Sequence, residues 1–194
     1  MSIARRCLFS LALCGLLLVT LSVRAEKAAT PAPPAAQKLS LTAALVLTPE
    51  FCATVDKKKR EKFPVGKTAC TELPPVLKGI FTSLTQVDDP AKAGDAQVVL
   101  QPKFAEVGAT EKAFAFSDRE LVVMVEWTVR DQSGKAIWIE TVQGSAKRHI
   151  GNAFTYGSNL KHIVEDSVQD MAEQSAAKMA ASPQLLKLST APVK

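Results

Sequence analysis

Between Arg119 and Lys147 the chain reads RELVVMVEWTVRDQSGKAIWIETVQGSAK, two runs of strand-forming residues either side of Asp131-Gln132-Ser133-Gly134. No other stretch limits the fold so tightly. Aspartate opens a type I turn with its side-chain acceptor and glycine supplies the positive φ that follows, so the spacing predicts a hairpin with a three-residue loop and a bulge. If Asp131 opposes Lys135, then Val129 meets Ile137, Trp127 meets Ile139 and Val125 meets Thr141 on one face. That face is almost wholly apolar and is expected to meet the core. The opposite face then pairs Thr128 with Trp138, Glu126 with Glu140 and Met124 with Val142. It is a mixed surface holding two directly opposed carboxylates.

Of the 194 residues, the first 25 do not belong with this hairpin. Arg5 and Arg6 precede the apolar run CLFSLALCGLLLVTLSV, and Val23-Arg24-Ala25 places small residues where a signal peptidase reads, which predicts an export leader cleaved after Ala25. Two other readings stay open. The apolar run of about 17 residues sits at the short end of what spans a bilayer as an anchor, and Leu11-Ala12-Leu13-Cys14 has the form of a weak lipidation box. Loss of the leader removes three arginines and lowers the net charge from +5 to +2. A nearly neutral exported chain gives no ground for nucleic-acid binding. Two cysteines leave with the leader, and the remaining pair, Cys52 and Cys70, is expected to form a disulfide in an oxidising compartment. His149 and His162 have no ligand spacing with either cysteine, so no metal site and no cofactor is implied.

Residues 26–38 are an Ala/Pro-rich tether, and residues 39–188 make one domain followed by a frayed tail at 189–194. Leu39 to Thr48 alternates as a half-buried strand ended by Pro49. A helix is expected over Thr71 to Leu84, capped by Thr71, with Pro74 and Pro75 in its first turn and Leu73, Val76, Leu77, Ile80, Phe81 and Leu84 on its buried face. Ala96 to Phe104 reads as a second strand. Phe114 and Phe116 fall either in an extension of the hairpin or in an apolar contact loop. Asn159 to Ala181 is the longest helix, with Leu160, Ile163, Val164, Ser167, Met171, Ser175 and Met179 on one stripe, Val168, Ala172 and Ala176 beside it, and Ser182-Pro183 as its stop. The expected fold is α+β in two layers, a single mixed sheet of about four strands in the order β-α-β-β-α with two helices packed on one face.

Common catalytic signatures are absent: there is no nucleophile elbow, P-loop, dinucleotide glycine pattern or HExxH. Ser145 and His149 with an aspartate make only a chance triad. The opposed Glu126 and Glu140 are either solvated carboxylates relieved by Lys103, Arg130 or Lys135, or the acid and base of a small hydrolase. Around them Val122, Met124, Trp138 and Val142 make an apolar patch on a face without helices, which predicts a surface for a protein partner or a lipid. Lys57, Lys58, Lys59 and Arg60 read as a solvated loop, or as a contact for anionic surfaces.

A leader, this element order, an apolar strand followed by Asp-x-x-Gly-Lys, Ile-Trp and a Val-x-Gly ending, and a long closing helix before a Leu-rich tail resemble the small envelope auxiliary proteins of Gram-negative bacteria. Transporter-auxiliary and lipopolysaccharide-assembly lipoproteins belong to that group. The resemblance spans about residues 39–188 and implies a non-enzymatic accessory of envelope assembly or transport, periplasmic or at the outer membrane, with no catalytic residues. Lacking a strong lipidation cysteine, the chain departs from that group and leaves its membrane attachment open. Two other functions remain beside it: a hydrolase using Glu126 and Glu140, and a soluble carrier of a lipidic ligand.

Overall fold

The computed structural model describes residues 38–58, 61–110, 118–149 and 156–190. The leader, most of the tether, Lys59, Arg60, Phe114 and Phe116 lie outside them. In chain order the elements are β1 (Leu39–Val46), α1 (Pro49–Cys52), β2 (Asp56–Lys58), β3 (Glu61–Phe63), α2 (Val65–Lys78), β4 (Phe81–Val87), β5 (Val98–Thr110), β6 (Asp118–Asp131), β7 (Ala136–His149), α3 (Tyr156–Ala181) and α4 (Pro183–Thr190).

The hairpin turn between β6 and β7 forms as the sequence predicts. Asp131 N donates to Lys135 O and Gly134 N to Asp131 O, both at 2.9 Å, while Gly134 takes a φ of 80°. The register then departs from expectation. Arg130 faces Ala136, but Val129 faces Trp138, so Ile137 is an extra residue in a bulge. Beyond it every β7 side chain lies on the face opposite to the one expected: Trp127 faces Glu140, Glu126 faces Thr141 and Val125 faces Val142. Trp138 and Val142 are therefore buried at 7% and 0% exposure, whereas Ile139 is 63% exposed. The physical reason is area. At about 25 cal/mol per Å² an indole gains roughly 1 to 3 kcal/mol more on burial than an isoleucine, which favours the slip.

The fold is α+β with a single mixed sheet, as expected, and the sheet has five strands where about four were expected, in the order β4-β1-β5-β6-β7. β1 is parallel to β4 and β5, and β5, β6 and β7 run antiparallel in succession. The extra strand is β4, whose Phe81 and Leu84 were expected on a helix. Gly79 ends α2, and Thr82, Thr85 and Val87 favour the extended chain that follows. The helix accordingly begins six residues early at Val65, so Thr71 is interior, its hydroxyl donating to Lys67 O at 3.2 Å, and does not cap. Pro74 and Pro75 sit past its midpoint and remove two backbone donors. Burial of Leu73 and Leu77 on either side offsets that loss.

The helices lie on one face. α3 packs across β6 and β7, α2 beside it over β4, and α4 reaches β1 and β7. Ile163, Val164, Ser167, Val168, Met171, Ala172, Ser175, Ala176 and Met179 of α3 are buried as the stripe and its flank predict, while Leu160 at its start is half-buried. Ser182-Pro183 ends α3 and opens α4, where Leu185 is buried and Ser189 Oγ accepts from Ser40 N at 2.7 Å. α4 includes Ser189 and Thr190 of the expected tail, and residues 191–194 lie outside the described residues. β2 and β3 pair as a small ribbon through the basic run.

Cys52 and Cys70 are joined, with Cα atoms 5.8 Å apart, and tie α1 to α2. Next to them Phe51 stacks on Phe104 with ring centroids 4.5 Å apart. Closing a loop of this length stabilises a fold by about 3 kcal/mol. Cys52→Ser with Cys70→Ser is expected to lower the denaturant midpoint accordingly, and an unchanged midpoint would show that the bridge adds nothing.

Candidate functional site

The sheet face turned away from the helices is built by alternation along three long strands. On β6, Leu121, Val123, Val125, Trp127 and Val129 point into the core at 0% exposure, so Val122, Met124, Glu126, Thr128 and Arg130 point outward. Register places Lys103 of β5 and Thr141 of β7 beside Glu126, Gly108 and Ser145 beside Val122, and Glu106 and Gln143 beside Met124. Ile139 stands next to Thr128. The outer face thus carries two apolar spots, Val122 with Met124 and Ile139, separated by a polar strip.

Of the residues expected to form this surface, the structure keeps Val122, Met124 and Glu126 on it. Trp138, Glu140 and Val142 belong to the other face, because of the bulge at Ile137. Glu140 pairs with Lys178 of α3. It is one rung of a polar seam along β7: Asp170 Oδ2 accepts from Ser145 N at 2.8 Å and Arg148 meets Asp166 at 2.6 Å. Asp166, Asp170 and Lys178 recur on the same side of α3. Glu126 and Glu140 are on opposite faces and cannot act together as acid and base, so the hydrolase reading loses its pair. Ser145 and His149 are four residues apart on one strand, about 13 Å, and do not form a nucleophile–base couple. Among the described residues no group of three or more His, Cys, Asp or Glu is arranged to hold a metal.

Both ends of the outer face are closed by polar structure. β4 and β5 flank β1 in parallel, so residues 88–97 must cross it, and the right-handed rule puts that crossing on the outer face. Gln97 clamps it there: its N donates to Thr42 Oγ1 at 3.1 Å and its Oε1 accepts from Thr42 N at 2.9 Å. Ala44 and Val46 of β1, which point the same way, are buried. Between this crossing and the hairpin turn lies a cleft of about 520 Å³, lined by Pro90, Gly94, Asp95, Val99 and Arg130. Arg130 is held in place, Nε donating to Gln101 Oε1 at 3.1 Å and Nη1 to Gly134 O at 2.9 Å. At the far end Asp118 meets Lys147 at 2.9 Å and His149 at 3.0 Å. The Lys147 ammonium, and after it His149, hold the Asp118 carboxyl below its usual range, and Asp118 raises Lys147 in return.

Sequence reasoning missed Ile139, which it assigned to the core, and the crossing loop. It also missed a groove of about 510 Å³ on the helical side, where Pro64 before α2 and Thr68 and Thr71 on it face Leu160 and Val164 of α3. Among the described residues no helix is long and apolar enough to cross a membrane.

No family model matches the chain, and no curated protein matches it. Solved structures do. A Xanthomonas campestris protein of the DUF330 family superposes with a TM-score of 0.58 at 8% identity, over 80% of this chain and 92% of that one. A minor lipoprotein from Acinetobacter baumannii gives 0.51 at 15% identity, over 74% and 93%. At such identities the likeness is one of fold, and the fold is one that bacterial lipoproteins also use.

Proposed function

We propose that this chain is a non-enzymatic accessory protein of the cell envelope that binds a protein partner or a lipid on its outer sheet face. The observation that carries the reading is Ile139, a large apolar side chain left 63% exposed on the helix-free face that also presents Val122 and Met124. An exported leader, a disulfide and a fold shared with bacterial lipoproteins support the compartment. The resemblance to transporter-auxiliary and lipopolysaccharide-assembly lipoproteins supports a role in transport or assembly, at the periplasmic face of the outer membrane or free in the periplasm. Loss of the Glu126–Glu140 pair leaves the hydrolase reading without a named acid and base.

Met124→Asp combined with Ile139→Asp places two charges on the apolar spots without touching the core. Capture of the envelope partner, and any lipid retained in native mass spectra, is expected to fall at least tenfold while the unfolding midpoint stays near that of the parent. Undiminished capture by the folded double variant would remove this face from the function.

A further inference from the structure

The two edges of the sheet are finished differently. β7 is shielded by α3, whose Asp170 takes the Ser145 amide, and it carries Lys147 and Arg148 along its end. β4 reads Phe-Thr-Ser-Leu-Thr-Gln-Val, without a charge, a proline or a glycine. Thr82, Ser83, Thr85 and Gln86 are exposed. Exported proteins ordinarily guard such an edge with lysine, proline or a covering element, because an open strand pairs with whatever strand it meets.

The hydrogen-bonding phase of β4 is fixed by Leu47 N donating to Val87 O at 2.8 Å and by the parallel register with β1. In a parallel ladder both polar groups of one residue point to the same side and successive residues alternate. Ser83, Thr85 and Val87 therefore turn to β1, while Leu84 and Gln86 turn their N–H and C=O groups to the open edge. Outside the ladder with β1, no hydrogen bond among the described residues reaches these groups. Two outward residues separated by one inward residue form a pattern that is its own complement when the strand is reversed.

We propose that β4 is the seam of a homodimer in which the strands of two copies pair antiparallel about a two-fold axis at Thr85. Leu84 of each copy then faces Gln86 of the other, and four backbone hydrogen bonds satisfy every outward group of both residues. Ser83 faces Val87, Thr85 faces its own counterpart, and Asp88 of each copy falls opposite an uncharged threonine, Thr82. No like charges meet. The joined sheet is continuous, and the outer face proposed to bind a partner is presented twice.

The test uses the exported protein recovered from cells, with mass measured by sedimentation and native mass spectrometry at tens of micromolar. The parent is expected at twice the chain mass. Thr85→Lys and Thr85→Asp each set like charges on the two-fold axis and should weaken association about fivefold or more, whereas mixing the two variants should restore the dimer as a heterodimer. Gln86→Pro removes an outward amide that β1 does not use, and should abolish pairing while the monomer stays folded by circular dichroism. A monomeric parent, or a dimer indifferent to these substitutions and to mixing, would overturn the proposal.

Discussion

Gly144→Ala is expected to lower the midpoint of thermal unfolding by about 10 °C, the response of a domain this size to a loss of about 3 kcal/mol. The reason lies in how closely α3 sits on β7. A Cβ at position 144 would come within 2.2 Å of Met171 N, 2.4 Å of Ser167 O and 2.5 Å of Met171 Cβ. Two of those atoms are helix backbone, so no rotamer change relieves the contact and the whole helix must lift. Lifting it opens the layer that holds Val142, Val168 and Met171 at 0% exposure. Because the clash is with backbone, adding Met171→Ala should not rescue Gly144→Ala. Recovery by that second substitution, or a midpoint within a degree or two of the parent, would show that the α3 backbone does not press on Gly144.

Trp127→Ala is expected to cost about 4 kcal/mol, near the upper end of what a single side chain contributes. Trp127 is completely buried at the centre of β6, and its indole N–H donates to Ser175 Oγ at 2.9 Å. Ser175 in turn donates to Met171 O at 2.7 Å, so the hydroxyl takes one bond and gives another inside the core. Ser175→Ala leaves the indole N–H unpaired in an apolar layer and should cost about 1 to 3 kcal/mol. Trp127→Phe removes the donor as well as part of the ring, so its penalty should overlap that of Ser175→Ala. A double-mutant cycle by urea unfolding reads this coupling directly. Strict additivity of the two would mean that the bond contributes nothing to the fold.

These effects could be anticipated from the sequence only in part. The turn was legible because its chemistry is local: Asp131 supplies the acceptor and Gly134 the backbone freedom, whatever surrounds them. Its consequence three residues later was not. Ile137, Trp138 and Ile139 are consecutive apolar residues, so alternation cannot say which of them points inward, and the choice falls to the bulk of the indole and the space beneath α3. That single slip moved Trp138 and Val142 into the core, sent Glu140 to Lys178, and exposed Ile139. β6 has no such ambiguity, since Glu126 and Arg130 mark its wet side, and Val122 and Met124 turn outward with them. β4 was hidden for a different reason. Leu73, Val76, Leu77, Ile80, Phe81 and Leu84 keep helical spacing through a helix and into a strand, and only Gly79 with the threonines after it signals the change.

The outer face therefore rests on β6, where sequence and structure agree, and gains Ile139 where they differ. A photo-crosslinking amino acid placed at position 139 in living cells tests its role most directly, with the same group at exposed Glu173 on α3 as the comparison. A discrete crosslink to one envelope protein, or to lipid, is expected from position 139 and none from position 173. Crosslinks from position 173 with none from 139 would contradict that role and move the binding surface to the helical layer.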